Sequence, residues 1–525
     1  MNPRTLLAIV ISMIILLAWT PLEKIFFPKS HQSRYQNKES FLSNESVLPQ
    51  SPSNQVLEEK TITQEPGSFV EAPVVDIPEK LLFLSNHKII VNFSNKGAAI
   101  KGVRSLEFLN DRQEPESILQ ESSNQSFLGF IEPSSLAQKL FQMKKVSDRE
   151  VHFIYRQRNG LQWTKIFRLS DSYDLTMQVR IENKGRETLA LQDGYVNNVS
   201  QSIGPKDAGK NNDRFRVVSL LKEGTSDVKK VKKIKEREVF HDNYQWIALQ
   251  DKYYALIVKP KSDLSVVYLE KGVFPPHLSF RTKSVVLKPN QVIQDDFIIY
   301  VGPKNLKVLK SYDIGFEKIV SFGFFNKISF YLLALLNFFF RLTGNYGIAI
   351  ILLTCVAKLV LSPLSHKSFK SMKKMQKIQP HIKSMRERHK DNPKKAQVEM
   401  MKLYKEHKVN PLGGCLPIVL QMPIFLALFW LLQSAFELRD APFVFWIHDL
   451  SKKDPTYVMP ILMGGSMALQ QALSPSVVDP AQKKMMMFLP IVMTFLFLNF
   501  PAGLVLYWLV NNLLSLAHQK FAHRD

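Results

Sequence analysis

The period of the hydrophobic pattern changes several times along this chain, and each change predicts a different kind of element. After Arg4, residues 6–19 are almost wholly apolar, which fits either a signal peptide or a first membrane span. No small-x-small cleavage site follows. Pro21, Glu23 and the renewed apolar run 25–27 favour an uncleaved signal anchor over 1–27, rather than a cleaved signal. With Arg4 held inside, the chain that follows is exported. Residues 28–75 are rich in Ser, Asn, Gln, Glu and Pro, a composition that cannot bury enough surface to offset ordering entropy, and they read as a flexible tether. From 76 to 315 the period becomes two. Leu175, Met177, Val179 and Ile181 alternate with Thr176, Gln178, Arg180 and Glu182, so one face is apolar and the other wet. Val151, Phe153 and Tyr155, then Asn159-Gly160, then Trp163 predict a hairpin with a tight two-residue turn. Similar short runs at 265–269 and 297–301 extend the pattern into an antiparallel sandwich.

Past 315 the spacing becomes helical. Within 316–345, Val320, Phe324, Ile328, Tyr331 and Leu335 recur at three and four, widened by Phe325 and Leu332, and predict an amphipathic helix lying on the outer membrane face. Five apolar blocks follow, near 346–364, 414–436, 456–473, 484–499 and 502–518, each close to the length that crosses a bilayer. With the first span they make six transmembrane helices with both ends inside, the last four lying within 413–520. The expected fold is mixed: a polytopic α-helical bundle with a five-helix core, carrying an exported all-β domain.

Composition changes this picture in one respect. Mean hydropathy is −0.08 although 45% of residues are hydrophobic, as expected when apolar blocks alternate with a charged remainder. A net charge of +23 suggests nucleic acid in a soluble protein and cytoplasmic loops in a membrane protein. Position decides: residues 365–412, between the second and third spans, hold 14 Lys or Arg against 4 Asp or Glu. The run VKKVKKIKER at 228–237 reads either as an anionic-ligand patch or as a solvated loop or strand edge. Cys355 and Cys415 both belong to apolar blocks, so no disulfide framework or CxxC metal site is expected.

Within 366–390, Phe369, Met372, Met375, Ile378, Ile382 and Met385 fall on one helical stripe, with Lys377 and other basic residues covering the rest. After Asp391-Asn392-Pro393, Val398, Met401 and Tyr404 repeat the stripe, giving a helical hairpin whose first arm contains Pro380. It serves either as a charged topology determinant or as an apolar docking surface on a basic support. Lys358 lies inside the second span, where a charge either snorkels to the surface or faces a wet cavity. Thr354, Gln421, Gln471, Tyr507, Trp508, Asn511 and Asn512 are polar or aromatic groups that either line such a groove with it or make helix-packing contacts. Protease, hydrolase and nucleotide-binding signatures are absent from the sequence, and no cofactor is expected.

Three segments together carry a resemblance. NPLGGCLPIVLQMPIF at 410–425, APFVFWIHDL at 441–450 and FPAGLVLYW at 500–508 are similar, in this order, to the YidC family of membrane protein insertases, and the likeness extends over essentially the whole chain. It implies a β supersandwich in the periplasm and a five-span core in the bacterial inner membrane, with a hydrophilic groove open to cytoplasm and lipid. Lys358 takes the position of the groove cation, where the family usually has arginine; the exchange keeps the charge and loses the planar fork. The resemblance also implies an apolar substrate-contact line at Met422, Pro423, Tyr507 and Trp508. Its implied partners are nascent membrane proteins, the Sec translocon with its accessory subunits, the ribosome, the signal-recognition-particle receptor and lipid. Two readings compete with an insertase and chaperone: a small-solute transporter with an exported binding domain, and a scaffold that merely tethers the β domain.

Overall fold

The computed structural model describes residues 78–525 except 111–112, 121–125, 201–202, 205–216, 222–225, 231–237, 242–243, 262–263, 265, 271–276, 390–391, 408–415, 474–479 and 523–525. The expected first span and tether lie outside the described residues, as does most of the basic run at 228–237, whose first three residues end the strand Ser226–Lys230.

An antiparallel sheet of nine strands organises the β domain, ordered Ser226–Lys230, Val217–Leu221, Trp246–Gln250, Tyr254–Pro260, Val292–Pro303, Asp174–Asn183, Leu161–Leu169, Glu150–Arg156 and Gln142–Ser147. A five-stranded sheet and a four-stranded sheet accompany it. Period-two alternation is the reason these segments are strands: Leu175, Met177, Val179 and Ile181 are all buried, and the residues between them are not. Phe93 from the four-stranded sheet meets Phe153 and Phe167 of the nine-stranded one at 6.1 and 5.1 Å. Phe130 and Tyr195 meet Trp163 edge-on at 5.4 and 5.9 Å. Lys165 occupies an inward position of the same alternation and is fully buried, donating to the carbonyl of Leu128 and, at 2.9 Å, to Asn197 Oδ1 of the five-stranded sheet. Burial pushes its ammonium well below the usual lysine range.

The hairpin at 150–169 forms, with one correction. Gln157 N–H donates to Leu161 O, and only Gly160 has positive φ (+91°), so the turn is a three-residue loop closed by a left-handed glycine. A Cβ at Gly160 would lie 2.6 Å from Gly185 N and Cα, which excludes any larger residue.

Helix α1 spans Asn326–Thr343 and begins later than its apolar spacing suggests, because the chain first makes a 3-10 turn over Phe316–Ile319 and then a left-handed Gly323. The apolar positions Phe324 and Tyr331 are left exposed by the protein, and another face of the helix is buried. Phe324 is 86% exposed and Tyr331 79%, while Ser329, Leu333 and Leu336 are buried. Ser329 decides this: its small side chain admits a neighbouring helix closely enough for its hydroxyl to donate to Ala427 O at 3.0 Å.

Helix α2 runs unbroken from Tyr346 to Arg388, 43 residues and about 65 Å, through both Pro363 and Pro380. Asn345 caps it, accepting from Gly347 and Ile348 N–H at 2.8 and 3.1 Å. The apolar window and the first arm of the basic hairpin are thus one continuous helix. Helix α3, Pro393–Glu406, returns beside it, capped by Asn392 with Pro393 at its first position. Helices α4 (Leu416–Ser434), α5 (Val458–Leu473), α6 (Pro480–Phe497) and α7 (Ala502–Ala522) complete the core. Among the described residues one window, Tyr346–Pro363, is long and apolar enough to cross a membrane; Gln421–Ser434, Val458–Leu473 and Met487–Phe497 are apolar but shorter.

The β domain and the helical core meet at the α4–α5 connection. Arg439 is paired with Glu116 in a contact that leaves both side chains under 10% exposed, and it donates to Tyr254 Oη at 2.7 Å; Tyr254 in turn donates to Glu116. Phe436 inserts edge-on among Phe108, Tyr253 and Tyr254 at 5.1, 6.2 and 6.3 Å. Burial raises the pKa of the Glu437 carboxyl, although the backbone N–H groups of Glu437 and Leu306 donate to it. Lys304, its ammonium 2.9 Å from Asp251 O, is pushed down to about 8 by burial. Removing one partner of a buried ion pair costs about 3–5 kcal/mol, whereas replacing both by apolar groups is often nearly neutral. Arg439→Ala is therefore expected to lower the unfolding free energy of the purified full chain by about that amount. The double variant Arg439→Met with Glu116→Leu should recover most of the loss in the same chemical denaturation experiment; a double variant as unstable as the single one would contradict the account.

Candidate functional site: a polar cluster inside the helical core

Lys358 faces α7 from the apolar window of α2. Its ammonium donates to Asn511 Oδ1 at 3.1 Å and to Ser515 Oγ at 2.7 Å, one helical turn apart on α7. Gln421 of α4 reaches the same centre, its amide nitrogen 3.0 Å from Asn511 Oδ1 and 3.4 Å from Tyr507 Oη. Three helices thus contribute one hydrogen-bonded group of five side chains. Both acceptors of the ammonium are neutral. A lysine in a spanning helix costs at most about 2.5–3.5 kcal/mol, the helix-centre value on insertion scales. A hydrogen bond to a charged group returns about 1.5–3 kcal/mol, so two such bonds suffice to hold the charge inside. Lys358 is therefore tethered sideways to α7, not extended along its own helix.

The other expected groove residues are placed differently. Thr354 is buried, and its hydroxyl donates to Ile350 O at 2.6 Å on its own helix. Gln471 lies near the C-terminal end of α5, outside the cluster, and Asn512 turns away from Lys358 to donate to Ser466 Oγ of α5 at 3.0 Å. Along the expected contact line, Met422 is 39% exposed and Pro423 partly buried, while Tyr507 is buried. Trp508 packs edge-on against Phe425 at 4.8 Å and against Phe497 at 5.2 Å, joining α7 to α4 and α6. Sequence reasoning missed Ser515, and only its offset of four residues from Asn511 could have signalled that it shares the same face.

In the hairpin the apolar stripe is spent internally. Met375, Ile378 and Ile382 are buried against Leu403, with Met385, Met400 and Tyr404 packed alongside. Two amphipathic helices joined by a short turn cover part of each other's apolar faces in this way. Val398 and Met401 stay exposed, as does Lys377, and the Met372 side chain is not among those described. His389 Nε2 lies 3.1 Å from Glu399 Oε2 across the two arms.

At the opposite end of α7 the core is closed by backbone. The α4–α5 connection folds over the start of α7, so that Ala502 and Gly503 N–H, which lack partners within the helix, donate to Lys452 O and Leu450 O at 2.7 and 2.9 Å. Asp454 organises this cover, accepting from Trp446 Nε1, Thr456 N, Thr456 Oγ1 and Met459 N at 2.8–3.0 Å.

A β domain is fastened to an apolar helical core that holds an internal cation and is closed at one end by a folded connection. The comparisons identify the kind of protein. Residues 83–335 match the family model described as the YidC periplasmic domain, and 338–525 match that of the 60Kd inner membrane protein. A membrane protein insertase YidC from Geobacter sp. strain M21 is 41% identical over 70% of this chain and 68% of its own length. Another, from Geotalea daltonii, is 32% identical over 100% of this chain and 99% of its own. A crystal structure titled as an active YidC insertase with its first transmembrane domain resolved aligns over 84% of this chain and 92% of that one, at 20% identity and a TM-score of 0.39.

This chain belongs to the YidC family of membrane protein insertases. Family membership places it in the inner membrane with the β domain in the periplasm.

Asp454→Ala removes the acceptor of four hydrogen bonds from the periplasmic cover. Amide hydrogen exchange in residues 443–460 is expected to quicken by at least tenfold, an opening cost lowered by about 1.4 kcal/mol or more, while exchange in the β domain is unchanged. Unaltered exchange in that segment would show that Asp454 does not hold the cover.

Proposed function

We propose that this protein inserts and helps fold membrane segments, alone or beside the Sec translocon, through a polar half-groove centred on Lys358 that opens to cytoplasm and lipid and is closed toward the periplasm. The observation that carries the reading is the ammonium of Lys358, retained inside the bundle by two neutral acceptors of α7. An ammonium has three N–H donors, and among the described residues two are engaged, so one is open to an incoming carboxylate or backbone carbonyl. The amide nitrogen of Asn511 and the hydroxyl proton of Tyr507, whose oxygens accept from Gln421, add further donors around it.

In this reading six spans cross the membrane with both termini cytoplasmic, supported by the basic excess of 365–412 and the apolar helices of the core. Carrying the polar flank of a substrate through hydrocarbon costs several kcal/mol per unpaired group, whereas moving its apolar helix into lipid is favourable. A wet half-groove shortens the dry path for the flank, and no bond chemistry, nucleotide or cofactor is required. Met422 and Pro423 on α4, with Tyr507 and Trp508 on α7, form the apolar contact line for the substrate helix. Gln421 and Asn511 line the polar side. The continuous α2 rod ties the basic hairpin to the groove, and the hairpin's lysines face the ribosome, the signal-recognition-particle receptor or the translocon.

A photoreactive side chain at Met422 is expected to capture a nascent membrane protein during translation into vesicles. The same probe at Phe495, 68% exposed on α6, should label lipid instead. Capture at Phe495 with none at Met422 would reverse the assignment of the groove face.

A further inference from the structure

Lys358 is drawn in two directions. It lies five residues before Pro363, the end of the apolar window, which is about 7.5 Å of helical rise. A lysine stem nearly covers that distance, so the bilayer invites the ammonium to snorkel to the cytoplasmic surface. The opposing pull comes from α7, and its two acceptors are not equivalent. Asn511 Oδ1 is shared, receiving Gln421 as well as Lys358. Ser515 Oγ is nearer, at 2.7 Å, and among the described residues it takes no other donor. Its own proton is committed to Asn511 O, also at 2.7 Å, which fixes the hydroxyl rotor and leaves its lone pairs for the ammonium. The side chain is 6% exposed, so water competes little for that contact.

We infer that Ser515 is a positioning residue for insertion. By holding Lys358 against α7 it keeps the third N–H of the ammonium in the groove, and so gives the protein a preference for substrates with acidic polar flanks over neutral ones. The inference rests on the reading of Lys358 as the groove cation. It also accounts for how a lysine serves at this position. An ammonium aims its donors tetrahedrally and is satisfied by two point acceptors a turn apart, whereas a planar guanidinium spreads five donors over a wider front.

The test uses the full chain in liposomes and two versions of one substrate span, with Asp or Asn at the same positions of its exported tail. The readout is the ratio of acidic to neutral insertion, which cancels differences in the amount of folded protein. Ser515→Ala is expected to lower that ratio about tenfold, the low end of what one hydrogen bond to a charged group contributes, and to bring it toward the ratio of Lys358→Met. Ser515→Thr retains the hydroxyl and is expected to keep the wild-type ratio. If Ser515→Ala keeps the wild-type ratio while Lys358→Met loses it, the positioning role is overturned and the groove reading stands. If Lys358→Met also keeps it, both fall.

Discussion

The ammonium of Lys358 sits inside an apolar helix window, where a bare charge is costly, and α2, α4 and α7 meet at the groups that offset that cost. Among the described residues no carboxylate is used. An amide oxygen and a hydroxyl on α7 take the charge, and Gln421 of α4 is drawn to the same amide oxygen. A carboxylate at the same place would have formed a closed ion pair, stable and chemically inert. Neutral acceptors hold the cation in position without cancelling its charge, which is the condition the proposed role requires.

The rest of the structure makes that position sharp. One end of α7 is capped by the backbone carbonyls of Leu450 and Lys452, within a connection braced by Asp454. The same connection carries Phe436 and Arg439 into the β domain, so the periplasmic side is fastened by burial, aromatic packing and one buried ion pair. The far end of the core is built by different means. There α2 simply continues past its apolar window as the first arm of the hairpin, and the arms are held by a small apolar core of Met375, Ile378, Ile382 and Leu403. A core of that size gives low local stability.

Much of this was legible in the sequence, and the exceptions have physical causes. Period-two alternation marked the inward residues of 174–183 correctly, because a strand's faces are set by local geometry alone. Lys358, Gln421 and Asn511 stood out because polar groups in apolar helices are few. Thr354 did not join them because a threonine hydroxyl can satisfy itself on the carbonyl one turn back, and spacing does not reveal that choice. Ser515 was passed over for the mirror-image reason: it makes the same backbone bond and still offers its lone pairs to Lys358. Met375, Ile378 and Ile382 of the hairpin stripe pack against Leu403 once the arms are paired, which the pattern of either arm alone does not reveal. Arg439 and Glu116 lie 323 positions apart, a distance over which pattern carries no information. The span count rests on hydropathy, which locates apolar blocks better than it locates helix ends.

The central claim is that an uncompensated positive charge at this one position attracts the polar flank of an incoming chain. Reversing its sign tests that most directly, through the relative insertion of acidic-tailed and basic-tailed versions of one substrate by Lys358→Glu protein in liposomes. The account predicts that the preference inverts, basic tails now inserting better than acidic ones. An unchanged preference for acidic tails, with the variant folded and active, would contradict it.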